Sequence, residues 1–422
     1  MIKEKPTWDA DAKMPSFPKL HSSIETDVAI IGGGITGLTS AYLLSKAKKK
    51  IVLLEKNKIC LGATGVTTAF LTQIIDTELS KLLRMYGKSK TEIISRSHQK
   101  AINQVEKIIN ENKIKCEFAR CSNYLCAVDE ESVRNLQEEE IAAKNLGISM
   151  EFKENKLLGF RNFGYLELAN QAKFHPLKYL SALSKIAHKN GANIFEKTEV
   201  TEIKGSGPYI LKTSLGNVKA KYVIVTTYAP FDKKLFFKKA FYDSYVFELQ
   251  VPGKILKEGI YEDNLDPYHY FRVDRKGKFD RVIIGGEDHR SDIPVNDSKS
   301  FQALEDYIKK IFPFDYKIIR KWKGPILESI DGLAFIGEYK NKNIFYATGF
   351  SGNGITYANI AAHLFANIIS GTANNEIEEL ISVYNPKRIP TLKQLANKGV
   401  DYTKELLHGA VKNTLLYRGK KN

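Results

Sequence analysis

Three glycines and one carboxylate stand at a spacing that suits a single task. Gly32-x-Gly34-x-x-Gly37 follows the apolar run Val28-Ala29-Ile30-Ile31, and Glu55 lies 18 residues beyond Gly37, at the end of a second apolar run. A helical pattern from Leu38 to Ser45 joins the two runs. A strand–turn–helix–strand unit of this kind binds a dinucleotide. Gly32 allows the tight turn, Gly34 lets the backbone approach a pyrophosphate, and Gly37 lets the helix pack closely on the strand. Ile35 and Thr36 open the helix, whose free N–H groups and partial positive charge suit phosphates. Glu55 can accept both hydroxyls of an adenosine ribose, and its charge disfavours a 2′-phosphate. The pattern therefore predicts FAD or NAD over NADP.

A second site of the same make comes about 300 residues later. Ile344-Phe345-Tyr346 reads as a strand, Tyr357 to Ile369 as a helix, and between them lie Gly349, Gly352, Asn353, Gly354, Ile355 and Thr356. One helix N-terminus suits a pyrophosphate. The other can face the far end of the same cofactor, where a flavin ring gathers negative charge on reduction. Lys56 follows Glu55, and the loop Gly62 to Ala69 brings Ala63, Thr64, Thr67 and Thr68. Glycines and short hydroxyl side chains suit close approach to a ring or a phosphate. Read alone, that loop is equally an entry to a helix N-cap.

The elements that must position these residues are ordinary ones. The chain has 422 residues, 43% hydrophobic and 27% charged, enough for two domains with their own cores. Residues 1–23 are a polar leader with Pro6, Pro15 and Pro18, expected to wrap the surface in extended form. Long helical patterns fill 77–112 and 130–146, and another runs from Phe174 to Asn190. His98 reads as a helix-surface residue. Residues 231–323 are strand-rich and aromatic, followed within them by an amphipathic helix over 298–312. There Tyr268, Tyr270 and Arg272 alternate on one face of a strand. The run Arg281 to His289 reads as its antiparallel neighbour.

Some chemistry is excluded. Cys60, Cys116, Cys121 and Cys126 form no C-x-x-C pair and suit neither a zinc nor an iron–sulfur site, so no metal is expected. No GxSxG or HExxH phrase occurs. Net charge is +16, from 64 basic and 48 acidic residues, but the lysines are scattered and no nucleic-acid motif appears. The polar N-terminus lacks the apolar core of a secretory leader, and no apolar run is long enough to span a membrane. A cytoplasmic protein is expected, with a basic surface that allows peripheral contact with a membrane.

These motifs resemble the FAD-dependent oxidoreductases of the D-amino-acid oxidase and glycine oxidase superfamily. The resemblance covers about residues 25–390 and adds the phrases Phe174 to Leu180 and Asp331-Gly332-Leu333-Ala334-Phe335-Ile336-Gly337. The Gly62 to Ala69 loop and Tyr384-x-Pro386-x-Arg388 look most like the branch often fused to a C-terminal Rieske domain, whose C-x-H and C-x-x-H ligand pairs this sequence does not contain. The resemblance implies an α/β fold: a Rossmann-like FAD-binding domain with an inserted antiparallel-sheet substrate domain. It implies FAD-binding segments 24–83, 166–229 and 324–390, substrate segments 84–165 and 230–323, and a C-terminal helical tail over 391–422. It adds Val200 and Thr227 to the cofactor contacts. Gly324-Pro325-Ile326-Leu327 offers no cysteine where covalent members carry one, which implies non-covalent FAD.

Members of the superfamily remove a hydride from a C–N bond, the flavin accepting it at N5. The expected partners are a small amine or amino-acid substrate and an electron acceptor: oxygen, a quinone or a separate redox protein. If the substrate carries a carboxylate, a planar arginine with a tyrosine hydroxyl would clamp it, and Arg272 with Tyr270 or Tyr268 is the expected pair. His289 is the third candidate catalytic group. The alternatives are a dehydrogenase that passes electrons to a quinone or iron–sulfur partner, and a flavin-binding protein without turnover.

Overall fold

The computed structural model describes residues 2–391, except 155, 158, 229–238, 292 and 373, together with residue 394. The expected C-terminal tail lies outside the described residues beyond 391 and 394.

Strand β1 (Ile24–Ile31), helix α1 (Ile35–Lys46) and strand β2 (Ile51–Leu54) form the dinucleotide unit. All of β2 and the last four residues of β1 are buried, as parallel strands covered on both faces must be. β1 pairs in parallel with β2 on one side and with β3 (Gly216–Val225) on the other. β3 pairs in parallel with the strand Ile344–Thr348, which feeds the second glycine turn. Because these strands run the same way, both glycine turns open at one edge of the sheet, the edge where such sheets bind ligands. α1 is buried along nearly its whole length, between the sheet and its neighbouring helices.

The second sheet has nine strands. Its centre is β4 (Lys239–Pro252), β5 (His269–Lys276) and β6 (Phe279–Arg290), with β7 (Lys317–Ser329) at one edge. β5 and β6 are antiparallel, His269 opposite Gly286 and Arg272 opposite Ile283. Among the described pairs of this sheet, one is parallel, between Gly259–Asp263 and Ala119–Cys126. One face packs Tyr245, Phe247, Phe271 and Ile284 against the helix Asp297–Ile311. The other face turns Val246 and Ile283 into the core shared with the first sheet. The expected boundary at 165/166 falls at the start of the strand Tyr165–Lys173, and that at 323/324 falls inside β7, so these strands join the second sheet whole.

The leader differs from expectation. Trp8 sits in a short 3₁₀ turn, Thr7–Ala10, and is fully buried. Further along, the Phe17 N–H donates to Glu196 and the Leu20 N–H to Thr198. One tryptophan in a polar stretch carries no periodicity, so sequence pattern does not reveal this anchor.

Candidate active site

A cavity of about 1440 Å³ runs from the first glycine turn to the second sheet. Small-molecule sites usually span about 300–1000 Å³, so this one has room for a dinucleotide and a substrate together.

At one end the turn is shaped by its glycines. Gly32 has φ +109°, which favours glycine, and a Cβ on Gly37 would meet the Gly32 carbonyl oxygen at 2.0 Å. Gly37 thus lies behind the cavity and sets the helix–strand distance. Thr226 donates its hydroxyl to the Ile31 and Gly32 carbonyls (2.9 and 3.2 Å), fixing the turn. Glu55 accepts the Gly33 and Asn57 N–H groups, both at 2.8 Å, one on each oxygen. Each oxygen keeps a second lone pair for a ribose hydroxyl. Gly34, Ile35, Thr36, Lys56, Val200 and Thr227 also line this end.

At the other end is the start of the long helix α2 (Leu79–Asn112) and its packed neighbour α3 (Gly354–Ser370). The N-cap residue of α3, Asn353, does not cap it. Its side chain instead joins Thr72, Ile74 and the Asp76 N–H. The first N–H groups of α3 are left for the cavity, which Gly349, Gly352, Asn353, Gly354 and Ile355 line. A Cβ on Gly354 would meet nothing within 4 Å. An uncapped helix start beside an open glycine fits the pyrimidine edge of a flavin, which gathers negative charge on reduction.

Between the ends, the loop with Ala63, Thr64, Thr67 and Thr68 lines the cavity and is held from behind by its carbonyls. Trp322 Nε1 donates to the Val66 carbonyl (2.9 Å) and Trp8 Nε1 to that of Thr67 (2.6 Å). Arg272 NH1 donates to the carbonyls of Thr68 (3.0 Å) and Ala69 (3.1 Å). Three side chains from distant segments thus fix one face of the loop and leave the other to a ligand.

This arrangement overturns the expected clamp. Arg272 is 1% exposed and absent from the cavity wall. Besides the loop carbonyls it bonds the Phe174 carbonyl and pairs with Asp274 (2.8 Å), and its guanidinium lies over Trp8 (5.4 Å). It shares a strand face with Tyr270 as alternation requires, but one step further from the cavity, under the loop. Arg272 is a positioning residue and not a carboxylate clamp.

His98 and Thr356 also stand elsewhere than expected. His289 borders the cavity, but its ring is stacked on Tyr245 (5.4 Å, 20°). Between the pairs Tyr245–Gly286 and Asp243–His289, β4 advances two residues and β6 three, with Glu287 at φ +55°. This bulge shifts the alternation and brings Asp288 beside Tyr268 and Ser244. Thr356 is buried, its hydroxyl bonded to His98 Nδ1 (2.8 Å), and does not reach the cavity. His98 is fully buried between α2 and α3 and lies edge-on to Tyr357. Burial lowers its pKa to about 3. A polar residue on the inner face of a long helix looks like a surface residue when only its type is read.

The wall over the ring end is aromatic and acidic. Tyr228, Tyr242, Tyr268 and Tyr270 line it with Asp288 and Glu262. Tyr270 Oη bonds Ser244 Oγ (2.9 Å), and Phe70 stands edge-on to its ring (5.7 Å). Burial raises Asp288 to about 7, and the neighbouring Asp76 charge adds to the rise. Burial likewise raises Glu262 to about 7, with Asp76 and Asp263 adding to it. The sequence marks none of these carboxylates, because acidic residues in strand-rich segments usually face water.

Outside the cavity, Asp11, Glu117 and His175 come within reach of one ion. Lys178, Lys276 and Arg281 already surround Glu117, and His175 Nδ1 accepts the Lys178 N–H, which puts the ring proton on Nε2. That set does not suit a metal.

The chain is 29% identical over 410 residues to YhfW of Bacillus subtilis, a protein named for a Rieske iron–sulfur centre, covering 95% of this chain and 80% of that one. It is 26% identical to gamma-glutamylputrescine oxidoreductase of Escherichia coli, over 86% of this chain and 87% of the relative. Glycine oxidase from Geobacillus kaustophilus superposes with a TM-score of 0.73 at 19% identity, over 86% of this chain and 99% of that chain. Residues 27–368 match the family model described as FAD dependent oxidoreductase, and the chain belongs to that family of FAD-dependent enzymes.

Proposed function

We propose that the protein oxidises a C–N bond of a small amine or amino acid. The observation that carries this reading is the continuity of the cavity. It passes from the ribose carboxylate Glu55, along the pinned loop, to a closed aromatic wall on the second sheet. When bound, FAD supplies the two-electron acceptor, taking a hydride from the carbon beside the nitrogen. The chain's own residues hold and exclude. Glu55 and the Gly32 turn fix the adenosine and phosphates, and the open start of α3 stabilises charge at the ring's far edge. Tyr268 and Tyr270, which line the cavity on the second sheet, would cover a bound flavin ring and keep water from it, with Ser244 fixing the Tyr270 hydroxyl. The nitrogen lone pair becomes the second bond of an imine as the hydride leaves the carbon. A proton leaves the nitrogen, and water then splits the imine to a carbonyl and an amine. Among the relatives above, gamma-glutamylputrescine oxidoreductase is named for an amine and supports this bond class.

The test is anaerobic mixing of the flavin-loaded protein with a panel of amines and amino acids. Bleaching of the visible flavin band is expected with at least one class. A loaded protein that no member of the panel reduces would refute the reading. Reoxidation by oxygen against reoxidation by a quinone then identifies the acceptor.

A further inference from the structure

The charge of the cavity wall opposes that of the chain. The chain carries +16, yet the part of the wall supplied by the second sheet has Glu262, Asp263, Asp266, Asp288 and Glu328 against one cation, Arg290. Asp263 is already matched by His269 (3.0 Å) and the Tyr307 hydroxyl (2.8 Å). Arg290 is itself engaged by a neighbour. Glu262 has one donor, Asn123 Nδ2, at 3.2 Å. Ser244 and Tyr268 hydrogen-bond the Asp288 carboxyl, but its buried Oδ1 has no partner.

A second observation points the same way. Among the described residues of the wall, the buried polar side-chain atoms without a partner are Asp288 Oδ1, Asn264 Oδ1, His289 Nδ1 and the Tyr228 hydroxyl. Each can accept a hydrogen bond, and none is restricted to donating. A carboxylate offers acceptors alone and would leave Asp288 Oδ1 and Asn264 Oδ1 unmatched or repelled, whereas His289 Nδ1 and the Tyr228 hydroxyl can serve either class of ligand. An ammonium group offers three donors and no acceptor, and fits them. Buried acceptors left unmatched are costly, so a wall built of them is made for a donor-bearing ligand. Tyrosine faces around such a group add a favourable cation–π term. The arginine that would have answered a carboxylate, Arg272, is sealed under the loop.

We propose that the amine oxidised here carries a second positive group, held by Asp288 and Glu262, so that diamines and related polycationic amines are favoured over amino acids. This rests on the C–N oxidation reading and narrows it. The two-charge difference at the distal end, ammonium against carboxylate, decides the preference, since the aliphatic stem is the same for either class.

Butylamine, diaminobutane and aminobutyrate share a four-carbon stem and end in a methyl, an ammonium and a carboxylate. Anaerobic reduction of the flavin by each gives an apparent half-saturation concentration. Diaminobutane is expected to saturate at a concentration about ten- to a hundred-fold lower than the other two, the factor a charge-assisted contact supplies. Asp288→Asn and Glu262→Gln are each expected to remove most of the ratio between diaminobutane and butylamine. A readout free of turnover is the melting temperature of the flavin-free chain, which diaminobutane should raise and succinate should not. Preference for aminobutyrate or an amino acid over diaminobutane would overturn the proposal, as would an advantage that survives both substitutions. If no amine reduces the flavin but diaminobutane still stabilises the flavin-free chain through Asp288, the oxidation reading fails and the cation site stands.

Discussion

Replacing Gly354 with valine separates the fold from the cofactor. Gly354 opens α3, and a Cβ there meets nothing within 4 Å, so the substitution has no protein atom to strike. Glycine is the poorest ordinary helix former, and valine gains about 0.3–0.5 kcal/mol over it in a helix. The flavin-free protein should therefore melt at the same temperature or slightly higher. The open space is where the flavin's pyrimidine edge would lie against the uncapped N–H groups of α3. A branched side chain holds the ring off and breaks one or two hydrogen bonds of about 1–1.5 kcal/mol each. The dissociation constant for FAD should rise by about ten- to a hundred-fold. Titrating flavin-free protein with FAD and following quenching of flavin fluorescence measures it, with thermal melts in parallel. An unchanged FAD affinity would show that the start of α3 does not face the flavin. A large fall in the flavin-free melting temperature would show that the space is not open.

Gly37→Ala should behave in the opposite way, costing the fold as well as the cofactor. Its Cβ would meet a carbonyl oxygen at 2.0 Å, and overpacking of this kind costs about 1–3 kcal/mol or more in melts of the flavin-free chain. Arg272→Lys should lower stability by about 2–4 kcal/mol, because lysine cannot serve the loop carbonyls and Asp274 together. The half-saturation concentration of the surviving enzyme should move little, and a rise of more than about ten-fold in kinetic assays would restore the clamp. Trp8→Phe keeps the ring between Arg272 and Arg281 but loses the donor to the Thr67 carbonyl. A shift in the bound flavin's absorption spectrum with a melting temperature near that of the parent is expected. Asp288, raised to about 7, stays protonated in the fold at a pH where the unfolded chain has released the proton. Its contribution is full below about pH 4 and is lost as pH rises to about 7, after which stability is flat. Asp288→Asn should remove this slope and stabilise the flavin-free protein near pH 8 by on the order of 1–2 kcal/mol, allowing for water in the cavity. Melts across that range that keep the parent's slope would contradict it.

The glycine turns were legible in the sequence because backbone sterics tie residue type directly to shape. Gly32, Gly34 and Gly37 stand between two buried apolar runs and before a helix, and few other structures use that order. The alternation of Tyr268, Tyr270 and Arg272 gave the shared face correctly. It could not give depth, and depth decides whether an arginine meets a substrate or a loop. Asp288 was missed because one extra residue in β6 shifts a period-two pattern, and a bulge leaves little trace in sequence. Trp8 was missed for another reason. Its partners, Thr67, Arg272 and Arg281, lie between 59 and 273 residues away, and no local pattern reports contacts at that range.

The central claim is that this cavity holds FAD and uses it on a carbon–nitrogen bond. Anaerobic titration of the purified, flavin-loaded protein with amines tests both halves. Acid should release equimolar FAD from the protein, and a suitable amine should bleach the visible flavin band in proportion to the amine added. Protein that binds no flavin, or bound FAD that keeps its oxidised spectrum in the presence of every amine and amino acid, would contradict the account.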